Sequence, residues 1–193
     1  MKYNPDYHHR RSIRLPNYDY SQSGIYFVTI CTAKKQHLFG EIRDGKMFLN
    51  QIGNIVAEEW LNTEKIRKEV VLDEWIIMPN HFHGLVAITH EKINNISDVN
   101  HIRGANLAPL RRKPRSLSSL VGGFKSAVTK RIKQICNETT VCVWQKNYYE
   151  SIIRSEEHLN NVRKYIINNP QKWDDDPENN KNHPQELLID LPF

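Results

Sequence analysis

The sequence predicts an α+β sandwich: a mostly antiparallel sheet with helices mainly on one face. Two observations carry this. Segments with helical spacing interleave with single β-rich runs, in the order strand, hairpin, helix, strand, strand, helix, strand, helix. The 193 residues, 39% apolar and 25% charged, suffice for one domain with a sizeable core.

The elements follow in order. Residues 1–20 hold Arg10, Arg11 and Arg14 among aromatics and form a basic arm. Gly24–Thr32, GIYFVTICT, is rich in β-branched and aromatic residues and reads as a strand. Asp44-Gly45, between short apolar runs, marks a type I′ hairpin. After a possible Asn50 cap, Ile52, Ile55, Val56, Trp60 and Leu61 recur near helical spacing. Two strand-like runs, VVLDEWIIMPN and HFHGLVAITH, join at Met78-Pro79-Asn80. Residues 90–115 lack apolar periodicity and read as a loop. Ser116 then caps a helix with Leu117, Leu120, Val121, Phe124, Val128, Ile132 and Ile135 on one stripe. Its Gly122-Gly123 pair weakens the helix or marks a close backbone approach. TTVCVWQ is a further strand candidate. Ser155, Glu156, Glu157 and Pro170 bound a last short helix. One domain is expected over residues 1–173, with an acidic tail over 174–193.

Charge narrows the partner class. The net charge is +5, yet residues 171–193 carry −4, which leaves +9 on residues 1–170. No acid lies between Asp98 and Glu138, an interval holding Arg111, Arg112, Lys113, Arg115, Lys125, Lys130 and Arg131. A basic body of this kind favours a polyanion, most simply nucleic acid. No apolar run approaches the roughly 20 residues a membrane span needs, so no membrane partner is expected. The N-terminus has no apolar signal-peptide core, and the three cysteines, Cys31, Cys136 and Cys142, form no close metal-type pair. These features imply reduced thiols in a cytoplasm.

The chemistry starts at His81 and His83. Side chains at i and i+2 of a strand share a face, so both imidazoles project together while Phe82 enters the other face. Two neutral imidazoles suit a divalent ion, and suit Mn better than Mg. A reacting group must come from elsewhere. Tyr165 and Asn169 lie four residues apart on the last helix and stack on one of its faces. A tyrosine hydroxyl can attack phosphorus, and an amide oxygen can ligate a metal. Asn169 precedes Pro170, which disfavours helical geometry there. Tyr148 and Tyr149 compete for the nucleophile's role, in a setting also suited to base stacking.

Four stretches together resemble the REP-associated tyrosine transposases, a branch of the single-tyrosine HUH (His-hydrophobic-His) transposases. They are RRSIRLPNYDYSQSGIYFVTICT, WIIMPNHFHGLV, FKSAVTKRI and VWQKNYYESIIRSEEHLNNVRKYIINNPQKW, spanning about residues 10–173. The resemblance implies a ferredoxin-like or RRM-like sheet with the histidine pair on a central strand. It implies His81 and His83 as ligands of a divalent ion, Mg2+ or Mn2+, and Tyr165 as nucleophile. Asn169 falls where related transposases carry a glutamine as third ligand. The implied reaction nicks and rejoins single-stranded DNA beside small hairpins, the repeated extragenic palindromes, through a 5′-phosphotyrosine. The arm with Arg10, Arg11 and Arg14 lies where relatives read bases beside the hairpin, a task suited to arginine's fork of donors. Relatives act as monomers or homodimers, and a domesticated member that binds hairpin DNA without cutting it is the alternative.

Overall fold

A computed structural model describes residues 18–89, 115–138 and 140–179. The arm's Arg10, Arg11 and Arg14, residues 90–114 of the loop expected over 90–115, with Arg111, Arg112 and Lys113, and most of the acidic tail lie outside the described residues.

Strand β1 (Gly24–Cys31) leads through a short turn to the hairpin of β2 (Gly40–Arg43) and β3 (Lys46–Leu49). Helix α1 (Gln51–Ile66) follows, then β4 (Val70–Met78), β5 (His81–Ile88), α2 (Leu117–Cys136), β6 (Tyr149–Ile153) and α3 (Glu156–Asn168). A 3-10 segment, Asn169–Asp175, continues from α3. The main sheet has the order β4-β5-β1-β6, and every neighbouring pair is antiparallel. With the small hairpin set aside, the path is β-α-β-β-α-β with the first strand beside the third and fourth. That is the ferredoxin-like split βαβ arrangement. It places β5 in the sheet interior, between β4 and β1.

Local signals explain the boundaries. Asp44 (φ 49°) and Gly45 (φ 68°) are both left-handed, as a type I′ turn requires. Three side chains cap helix N-termini: Asn50 accepts from the Gly53 amide, Ser116 from Ser119 and Ser155 from His158. Glu156 and Glu157 sit in the first turn of α3, where the helix dipole favours negative charge.

Helices α1 and α2 pack on one sheet face and bury Trp60, Phe82 and Phe124 against each other, with ring centroids 4.6–5.5 Å apart. A Cβ on Gly84 would sit 2.8 Å from both the Trp60 and Phe82 rings, so this strand position accommodates the indole only as glycine. The aromatic core therefore lies beneath the strand that carries the histidines, on its far side.

Three expectations change. Residues 140–145, the described part of TTVCVWQ, form no strand: only an isolated bridge joins Thr32 to Trp144, and β1 pairs instead with β6. Residues 145–148 loop out between that bridge and the Thr29–Tyr149 pair, which interrupts the ladder. Leu61 is 47% exposed, because it lies one helical step off the buried Ile52, Ile55, Val56 and Trp60 stripe. Ile135 is likewise exposed, in the last turn of α2.

Candidate active site

Alternation along β5 sends Phe82 into the core and His81 and His83 to the opposite sheet face, where both are almost fully buried. Cross-strand register sets their neighbours. His83 faces Thr29 on β1, and Thr29 faces Tyr149 on β6, while His81 faces Cys31. Helix α3 covers this face. The Arg163 guanidinium makes a two-pronged bond to the Asp73 carboxylate on β4, at 2.9 and 2.5 Å, and ties the helix down.

That anchoring sets Tyr165 over the pair. Its hydroxyl is 3.3 Å from His83 Nε2, and Phe27 stacks on the His83 ring while meeting Tyr165 edge-on. Tyr165 remains 42% exposed, so its hydroxyl is both positioned and reachable. Among the competing tyrosines, Tyr148 packs against the hydrophobic core. Tyr149 lies on the histidine face but two strands over from His83, roughly 10 Å by strand spacing.

Behind the helix the chain folds back. Asn169 keeps helical angles despite Pro170, and its side-chain amide donates to Asp176 Oδ2 at 3.2 Å. Asp176 Oδ2 is 4.0 Å from His81 Nε2. One ligand atom from each of His81, His83 and Asp176 lies within 4.8 Å of the others. Asn169 Oδ1 and His81 Nε2 are both buried with no hydrogen-bond partner, and such orphans are what a bound ion would satisfy. The donor set of two imidazoles and a carboxylate fits a divalent transition ion.

Electrostatics agree with that use. Burial pushes the His81 imidazolium down to about 3, helped by the nearby charges of Lys35 and His37. Burial and His81 also push His83 well below its usual value, against a smaller opposing pull from Asp176. Both rings are neutral at physiological pH, as ligands must be. Burial and the Asp176 carboxylate raise the Tyr165 phenol, while Asn169 beside it works the other way.

Asp176 falls in the segment read from sequence as an acidic tail. Its partners reach across the fold: Glu178 pairs with Lys35 at 3.2 Å and accepts from the Cys31 thiol, and its carbonyl accepts from Asn80. Trp173 packs on His37 and His81 and turns the chain toward the pair. The run of acids just past this tryptophan was the available signal.

The basic residues on α2 are not brought to this face. The Lys125 ammonium donates to the carbonyls of Gln145 and Asn147, holding the loop before β6. Arg131 pairs with Glu58 and Glu59 on α1. Lys130 is exposed on the same helix, and exposed Arg115 precedes it. None of the described helices is long and apolar enough to cross a membrane.

No family model matches the chain. It is 41% identical over 175 residues to an uncharacterized protein of Haemophilus influenzae, covering 91% of this chain and 96% of that one. Among solved structures it is similar to a REP-associated tyrosine transposase bound to a REP hairpin, with a TM-score of 0.50 and 16% identity. That match covers 83% of this chain and 74% of the other, and it is a likeness of fold.

Proposed function

This chain belongs to one family with the Haemophilus influenzae protein and has the fold of the REP-associated tyrosine transposase, and on that premise we propose that it is a transposase-type strand transferase acting on single-stranded DNA beside hairpins. The observation that carries the reading is the Tyr165 hydroxyl 3.3 Å from His83 Nε2, beside a buried His81 Nε2 that has no partner.

Tyr165 Oη attacks the scissile phosphorus. The P–O bond to the 3′ oxygen breaks, the tyrosine proton is lost, and the 3′ oxygen leaves as a hydroxyl. A 5′-phosphotyrosine remains, and a 3′-hydroxyl rejoins the strand by the reverse exchange. No phosphoester bond is lost in either step. His81, His83 and Asp176, with Asn169 as a further candidate, would hold a divalent ion; when bound, that ion neutralises charge on the phosphate and favours the phenolate. The chain's own part is placement. Arg163 and Asp73 hold α3, Phe27 braces Tyr165 against His83, and Asn169 orients Asp176.

A second reading, a hairpin-DNA-binding protein without strand transfer, is favoured by one feature: the Asp176 carboxylate lies 4.0 Å from His81 Nε2, where a phosphate must approach. Incubation with a hairpin oligonucleotide carrying single-stranded flanks, in Mn2+ or Mg2+, decides between them. Strand transfer predicts a specific nick with one covalent protein–DNA product. Tight binding with no covalent product in either metal supports the second reading.

A further inference from the structure

Both histidines have a partner at Nδ1, yet the two partners differ in kind. Thr29 Oγ1 lies 2.8 Å from His83 Nδ1, and a hydroxyl donates or accepts, so it leaves the His83 tautomer open. Asn80 Oδ1 lies 2.8 Å from His81 Nδ1. An amide offers either end in principle, and here its orientation is settled by its other contacts. Its nitrogen sits 3.2 Å from the Lys35 carbonyl and 2.7 Å from the Glu178 carbonyl, two groups that only accept. The nitrogen must therefore face them, which leaves the oxygen for His81. An amide oxygen only accepts, so His81 Nδ1 must carry the hydrogen. The lone pair is then at Nε2, the buried atom that has no partner and lies 4.0 Å from Asp176.

We propose that Asn80 is a positioning residue that locks His81 in the tautomer whose Nε2 lone pair faces the Asp176 carboxylate, and so prepares it as a permanent metal ligand. The metal part of this rests on the function proposed above; the tautomer part does not. Asn80 is suited to the task because it is itself immobile. It is fully buried, and its backbone carbonyl accepts from the Thr32 amide at 2.9 Å. It thereby ties the β4–β5 turn, the exit of β1 and residue 178 to one imidazole. Outer partners of this kind fix ligand orientation, and their loss costs about 10–100-fold in metal affinity.

The test reads the His81 ring nitrogens by NMR in the metal-free wild-type protein. A protonated Nδ1 with a lone-pair Nε2 is expected; a protonated Nε2 overturns the proposal, whatever the metal does. Asn80→Ala should release the ring to a mixture of tautomers and weaken Mn2+ binding by about 10–100-fold in calorimetry. An unchanged tautomer in that variant also overturns the lock. If the wild-type ring shows the expected tautomer but the protein takes up no Mn2+, the metal reading fails and the lock stands.

Discussion

The two faces of strand β5 are similarly buried and differently built. Phe82 points into a close-packed aromatic cluster with Trp60 and Phe124. His81 and His83, one residue either side, point into an equally buried space that is polar and holds two unpartnered atoms, His81 Nε2 and Asn169 Oδ1. The first face is filled by rings, and the second brings together two imidazoles and a carboxylate. Burial alone does not separate the two, and neither does a single orphaned polar atom, since Trp60 Nε1 in the core is one as well; the convergence of His81, His83 and Asp176 does.

Substitutions should split along this line. Replacing both His81 and His83 by Ala is expected to abolish DNA cleavage and Mn2+ uptake, with a much smaller loss of stability than a core truncation. A doubly substituted protein that still cleaves would remove the pair from the chemistry. Phe82→Ala should do the opposite. It empties a fully buried aromatic site, at a cost of about 3–5 kcal/mol in denaturant unfolding, while cleavage per folded molecule persists. A loss below about 1 kcal/mol would mean that this face is less tightly packed than described.

Acid probes the polar face without any substitution. Folded His81 titrates near 3 against its ordinary 6.5. Between those values the unfolded chain binds more protons, so falling pH favours unfolding. Stability of the metal-free protein should be full above about pH 6.5 and decline below it by roughly 1 kcal/mol per pH unit from this group. A flat profile from pH 7 to 4 would contradict a buried, neutral His81. The smallest effect belongs to the helix layer beneath the core. Arg131→Ala should cost at most about 1 kcal/mol, since its ion pairs with Glu58 and Glu59 are partly exposed, and should leave DNA cleavage unchanged. A large loss of DNA affinity there would place nucleic acid on the far layer as well.

Legibility in the sequence followed the range of the interactions. Asp44-Gly45, Asn50, Ser116 and Ser155 act within a few residues, and each does in the structure what its type and spacing imply. The facing of His81, Phe82 and His83 follows from strand geometry alone. Tyr165 is one of three candidate tyrosines, and its place over His83, with Tyr149 two strands away, depends on the Arg163–Asp73 tie, which spans 90 residues. Asp176 was hidden because its meeting with His81 depends on Trp173 packing and on contacts to β1 and to Asn80, with no local periodicity to mark it. The β6 pairing escaped for a similar reason: Val141 and Val143 alternate like a strand, yet the loop over 145–148 moves the ladder downstream.

In the proposed reaction Tyr165 attacks DNA phosphorus from its seat over the histidine pair. The most direct measurement traps the covalent complex with a hairpin oligonucleotide in Mn2+, digests it, and maps the nucleotide-bearing peptide by mass spectrometry. The adduct is expected on Tyr165 and should disappear in Tyr165→Phe, with DNA binding retained. An adduct on Tyr148 or Tyr149, or one that survives Tyr165→Phe, would contradict that reaction.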